Sequence, residues 1–188
     1  MTAGEPEAIV IGASAGAVEA LSRLLPSLPA SFRLPVIVVV HVPPDRRSVI
    51  ADLFRAKCAM FVEEVEDKLP ISGGTIYFAP PDYHLLVEAD RTLALSSDEM
   101  VLFSRPSIDV LFESAADAYG PGLIAVVLTG ANRDGASGLA AVIAASGVGL
   151  VQDPAEAFAS AMPEAAIQHC PSARVMSLNA IAQYLKEV

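Results

Sequence analysis

The sequence predicts an α/β fold: a doubly wound, mostly parallel sheet with helices on both faces and an antiparallel β insertion. Short β-branched runs alternate with helical patterns, the signature of βα units that feed a parallel sheet. Pro35 to His41 (PVIVVVH) is apolar along its whole length, as a central strand covered from both sides is. Of 188 residues, 53% are hydrophobic and 18% charged, an excess that such a sheet absorbs and that excludes intrinsic disorder. The length implies one domain over residues 1-188.

Ala8 to Ile11 is the first strand. Val18, Leu21, Leu24, Leu25 and Leu28 recur at helical spacing, and Pro26 and Pro29 close that helix. A second helix is expected from Arg46 to Lys57 and a third strand at Phe61 to Val65. After the turn residues Ser72, Gly73 and Gly74, the runs Thr75 to Ala79, His84 to Glu88 and Thr92 to Leu95 read as the antiparallel insertion. Ile108, Leu111, Phe112 and Ala115 fall at i, i+3, i+4 and i+7, a helix with Ser107 as its cap. Leu123 to Thr129 is a buried strand. A loop from Gly130 to Gly138, a helix to Ser146, a strand at Gly149 to Gln152 and a helix-strand-helix over Glu164 to Glu187 complete the chain.

Composition narrows the function classes. With 12 basic and 22 acidic residues the formal charge is −10, the wrong sign for binding nucleic acid or anionic lipid. No apolar run reaches the roughly 18 residues of a membrane span, so no membrane insertion is expected. Cys58 and Cys170 lack metal-ligand or redox spacing, and Met1 to Glu7 has no signal-peptide pattern. A reduced, cytoplasmic protein without metal or cofactor is the simplest reading.

The chemistry-bearing motif is Gly12-Ala13-Ser14-Ala15-Gly16, a G-x-S-x-G turn between a predicted strand and a predicted helix. Such a turn aims the serine outward, and the helix start offers unpaired N–H groups for an oxyanion. A plain helix-capping serine is the alternative. A dinucleotide site fits poorly, because Ser14 stands where that motif needs glycine and the second strand ends in His41 rather than an acid.

A serine hydroxyl needs a base, and that base needs a carboxylate. His41 closes the second strand, on the same sheet edge as Ser14. His84 begins an insertion strand and His169 ends a helix, positions that suit surface or turn roles. In a sheet of order 3-2-1-4, the loop after Leu123 to Thr129 reaches that edge from the other side, and Asp134 is its only carboxylate. His41 also reads as a core imidazole, and Asp134 as the cap of the helix beginning near Ala136. The order Ser, His, Asp differs from the α/β-hydrolase order.

These residues resemble the catalytic domain of the chemotaxis receptor methylesterases, the CheB family. The match runs through IGASAGAVEAL (11 to 21), VVHVPP (39 to 44), GTIYFAPPDYHLLVE (74 to 88), SRPSIDVLFESAA (104 to 116), LTGANRDGASGL (128 to 139) and QDPAEAFASAMPEAA (152 to 166). The resemblance implies hydrolysis of γ-glutamyl methyl esters, and deamidation of glutamine, on methyl-accepting chemotaxis receptors or related sensory proteins. It assigns Ser14 as nucleophile, His41 as base and Asp134 as orienting acid. Backbone N–H groups of Ala15 and Ala131 are the expected oxyanion donors, and Arg46, Arg47 and Arg133 a positive rim for the substrate.

Three departures stand out. Ala17 replaces a usual glycine, and Ala131 and Asn132 replace methionine and glycine of an LTGMGxDG loop. Asn tolerates positive φ, so the loop is expected to persist. Only about seven residues precede the first strand, so a receiver domain, usual in the family, is not expected here. The altered loop leaves a second reading, a catalytically impaired interaction module of a sensory system.

Overall fold

The computed structural model describes residues 4–42 and 49–188. In chain order the elements are β1 (Ala8–Ala13), α1 (Ala17–Leu24), β2 (Val36–Val40), α2 (Ile50–Arg55), β3 (Phe61–Glu64) and β4 (Leu69–Pro70). There follow β5 (Thr75–Phe78), β6 (His84–Val87), β7 (Thr92–Ser96), α3 (Ile108–Tyr119), β8 (Leu123–Val127), α4 (Ala136–Ala144), β9 (Val148–Gln152), α5 (Ala161–His169), β10 (Arg174–Met176) and α6 (Leu178–Lys186). Seven strands form one parallel sheet in the order β10-β9-β8-β1-β2-β5-β3. A small antiparallel sheet, β4-β7-β6, lies apart from it.

Both faces of the large sheet are covered, and β1 shows how. Its alternate residues Ile9, Ile11 and Ala13 pack with Leu21, Leu24, Phe54 and Ile181 from α1, α2 and α6. Ala8 and Val10 point the other way, into a core with Leu111, Phe112, Leu139 and Met162 from α3, α4 and α5. That two-sided burial is why β1, β2 and β8 read as unbroken apolar runs. Because β1 lies between β2 and β8, the crossover β1-α1-β2 leaves to one side and β8-α4-β9 to the other. The carboxyl ends of β1 and β8 therefore border the crevice at the point where the winding reverses.

Several expectations are corrected. Thr75 to Ala79 is not part of the insertion: β5 joins the large sheet between β2 and β3, pairing Ile76 with Val36 and with Val62. The third strand, β3, is consequently the sheet edge rather than the neighbour of β2. All four β5 side chains are buried, as a strand inside a covered sheet requires. The insertion is completed instead by the two-residue β4. Helix α2 begins at Ile50, and the proposed start at Arg46 lies outside the described residues. Val18 is exposed, so the buried stripe of α1 is Ala17, Ala20, Leu21 and Leu24.

Candidate active site

Ser14 follows β1 directly. Its N–H donates to the Thr129 carbonyl at 2.9 Å, and its own carbonyl accepts from Ala17 at 2.9 Å, which fixes the turn into α1. Gly16 caps that helix at φ 83°, a left-handed conformation that glycine adopts without strain. Gly12 answers a different need. A Cβ there would stand 2.3 Å from Ile108 Cγ2, so its hydrogen lets the start of α3 settle on the strand. Gly12→Ala is expected to lower stability by about 1–3 kcal/mol, read by urea denaturation, because overpacking must displace Ile108.

His41 arrives from the neighbouring strand. Ala13 pairs with Val40, and the His41 N–H donates to the Ala13 carbonyl at 3.2 Å, so Ser14 and His41 are the next residues out on adjacent strands. The imidazole reaches across the end of β1 and places Nε2 2.7 Å from Asp134 Oδ2. Its side chain is 13% exposed and that of Asp134 is fully buried. A carboxylate accepts, so Nε2 carries the proton and Nδ1 is the basic nitrogen. Among the described residues neither Ser14 Oγ nor His41 Nδ1 is engaged in another hydrogen bond. In the trypsin-like arrangement the two nitrogens are used the other way round. Here the serine follows the adjacent strand, β1, while the acid comes from beyond β8, one strand further, and is met by the far nitrogen.

Asp134 does not cap its own helix. Its Oδ2 also accepts the Ile108 N–H at 2.7 Å, and its Oδ1 accepts from the Asp109 N–H at 3.0 Å and the Ser107 hydroxyl at 2.9 Å. It thus closes the N-terminus of α3, a place where backbone N–H groups and the helix dipole favour an anion. Ser107 occupies the expected cap position, yet its hydroxyl serves Asp134 and not its own helix. Burial by itself would raise the Asp134 carboxyl, but the His41 bond and the N–H groups of Asp109 and Ile108 outweigh it and hold the carboxyl below its ordinary range.

Behind this acid stands a residue read from sequence as a surface or turn group. His84 is buried; its Nδ1 accepts from the Ser107 N–H at 3.1 Å and its Nε2 donates to the Glu99 carbonyl at 2.9 Å. The imidazole thus pins the residue that bonds Asp134. Two more supports escaped the sequence reading. Buried Gln152 accepts the Thr129 N–H at 2.9 Å, and the Thr129 hydroxyl donates to the Ala15 carbonyl at 2.8 Å while accepting from the Ala159 N–H. A polar residue ending each of two apolar strands was the available signal.

Ala15 and Ala131 flank the crevice, and among the described residues their N–H groups have no hydrogen-bond partner. Asn132 does not disrupt the loop; its side-chain oxygen accepts the Asp134 N–H at 3.0 Å. Arg133 is exposed beside Asp134, whereas Arg46 and Arg47 lie outside the described residues. A cavity of about 320 Å³ opens next to His41, walled by Met100, Phe103, Ser104 and Arg105. Arg105 is occupied by Asp82 and by the Ser97 and Asp98 carbonyls, so it shapes that wall. Among the described residues no three His, Cys, Asp or Glu side chains are placed to hold a metal ion.

The family model for the CheB methylesterase matches residues 9–185. The chain belongs to the CheB methylesterase family. A Leptospira interrogans protein, provisionally named a protein-glutamate methylesterase/protein-glutamine glutaminase, is 45% identical over 177 residues, 94% of this chain and 92% of that protein. A protein-glutamate methylesterase/protein-glutamine glutaminase of Paramagnetospirillum magneticum is 33% identical over 97% of this chain but only 49% of its own length. The crystal structure of the Thermotoga maritima CheB methylesterase catalytic domain agrees with a TM-score of 0.93 at 29% identity, over 98% of this chain and 99% of that one. The CheB fold thus accounts for both the seven-stranded sheet and the separate antiparallel sheet.

Proposed function

We propose that this chain is a serine carboxylic-ester hydrolase that cleaves γ-glutamyl methyl esters on chemoreceptor-like signalling proteins. The observation that carries the reading is the part-buried His41–Asp134 bond ending one strand away from Ser14. The names of its CheB relatives supply the substrate class. Ser14 Oγ attacks the ester carbonyl as its proton passes to His41 Nδ1. Asp134, held at Nε2–H, stabilises the imidazolium, and the Ala15 and Ala131 N–H groups receive the oxyanion. Methanol leaves with the proton from His41. Water, activated by the same imidazole, then breaks the bond between Ser14 Oγ and the acyl group, which leaves a glutamyl carboxylate on the receptor and restores the serine. A glutamine γ-amide follows the same path with ammonia as leaving group.

An interaction module would have no use for a half-buried Ser14 beside a histidine bonded to a buried aspartate. The direct test is methanol release from a methylated receptor fragment, with one new side-chain carboxylate on the fragment for each methanol; no methanol from the wild-type protein would refute the reading. Among the described residues no helix is long and apolar enough to cross a membrane.

Charge sets the terms of the encounter. At net −10 the protein repels an acidic receptor helix at long range, and a methyl ester weakens that repulsion locally by removing one charge. Arg133, exposed next to Asp134 in the loop after β8, is a local positive group. Arg133→Glu is expected to lower kcat/KM for a receptor fragment about tenfold and for a small neutral ester by less than about twofold, with the gap narrowing above roughly 0.15 M salt. An equal loss on both substrates would place Arg133 in the fold or the chemistry.

A further inference from the structure

Helices α3 and α4 are each capped by an acid from the start of the other. Asp134, two residues ahead of α4, accepts the first N–H groups of α3. Asp109, the second residue of α3, returns the arrangement: its Oδ1 accepts the Gly135 N–H at 2.9 Å and the Gly138 N–H at 2.7 Å, closing the start of α4. The helices approach closely because Gly138 has no side chain; a Cβ there would stand 3.0 Å from Asp109 Cα and 2.6 Å from Phe112 Cβ. Two buried carboxylates are thereby held side by side. Asp109 is pushed upward by burial, pulled back by the Gly138 N–H, and pushed up again by the charge of Asp134. A helix start is satisfied by neutral Ser or Asn, which makes the second acid an expensive choice for capping alone.

We propose that Asp109 is a positioning residue for the His41–Asp134 pair: its carboxylate fixes the turn on which Asp134 stands, and its negative charge behind Asp134 helps hold the His41 imidazolium. The proposal rests on His41 acting as the base. Other groups facing Asp109 are Glu113, one turn on along α3, Arg133 from the loop before α4 and His169 at the end of α5. All three line with it a cavity of about 640 Å³. Glu113 is pushed upward by burial and then by Asp109, Asp117 and Asp134, while Arg133 and His169 are exposed to water. His84 reaches Asp134 only through Ser107. Among the described residues, Asp109 is the second acid bonded directly to the Asp134 turn.

Asp109→Asn keeps an oxygen for Gly135 and Gly138 and removes only the charge. In that variant the acidic limb of kcat/KM is expected to move down by about half a pH unit or more, with the plateau about threefold to tenfold lower. The midpoint of the His41 ring-proton titration, followed by NMR in a Ser14→Ala background, is expected to fall by the same amount. Asp109→Ala, which also removes the caps, should lose a further tenfold or so and melt at lower temperature. A purely structural Asp109 would lower the plateau and leave the limb and the NMR midpoint in place, and that result overturns the proposal. If Asp109→Asn does not fold, the wild-type protein decides: the Asp109 ¹³Cγ resonance must be that of a carboxylate at pH 7, and a neutral acid there overturns the proposal. Because the NMR readouts need no substrate, absence of methanol release would fault the esterase reading without touching this one.

Discussion

Ser14→Ala is expected to lower kcat for methanol release by about 10⁶, and His41→Ala by a similar factor, with the double variant little worse than either. In the proposed mechanism nucleophile and base act as one unit. Without Ser14 Oγ there is no group to form the acyl-enzyme, and without His41 Nδ1 the hydroxyl has nowhere to send its proton. The fold has little stake in the outcome. Ser14 is half-buried, its backbone bonds to Thr129 and Ala17 survive truncation, and no side-chain bond among the described residues is lost. Unfolding of Ser14→Ala by urea should therefore match wild type within about 0.5 kcal/mol. Activity of Ser14→Ala equal to wild type would remove serine catalysis altogether.

Asp134 carries a heavier structural share, so its two substitutions should separate. Asp134→Asn is expected to cost about 10⁴ in kcat, because an amide no longer enforces the Nε2–H tautomer or balances the imidazolium. Asp134→Ala leaves the N–H groups of Ile108 and Asp109 and the Ser107 hydroxyl without their acceptor in a buried place. It should therefore also lose about 3–5 kcal/mol of stability, measured by denaturant unfolding. The pH dependence follows from the lowered carboxyl. The stabilisation from Asp134 is fully present above the ordinary value of 3.8 and is lost as the pH falls below it through the folded value. The wild type should lose more stability than Asp134→Asn over that acid range. Equal stability of Asp134→Ala and wild type would show that water satisfies the start of α3 and that the cap is dispensable.

Much of this site is legible in the chain because its signals are local or depend on strand order alone. Unbroken apolar runs mark β1, β2 and β8 as central strands, and the G-x-S-x-G turn sits where a strand meets a helix. Parallel strands carry their following residues to one edge, which brings Ser14, His41 and Asp134 to the same crevice. Six motifs in order carry the resemblance to the CheB family. The boundary of the insertion was not legible: Thr75–Phe78 is four residues long, and a run so short has no period that tells a hairpin strand from a covered parallel one.

The α/β class, the central strands and the three side chains carried to one sheet edge are all encoded in signals local to the chain. Periodicity, turn chemistry and strand order are properties of neighbours along the chain. How those side chains are held depends on the packed fold. Asp134 lies two residues before α4, and local capping preference assigns it there, yet it binds α3, whose start is more than twenty residues earlier. His84 lies at the start of a short insertion strand, which locally suggests exposure, yet packing of that sheet on α3 buries it beneath Ser107. The choice of Nε2 for the acid likewise follows from the order β2-β1-β8, in which the serine strand lies between base and acid. Each of these is a hydrogen bond between segments remote in sequence, and its partner exists only after the helices have docked on the sheet.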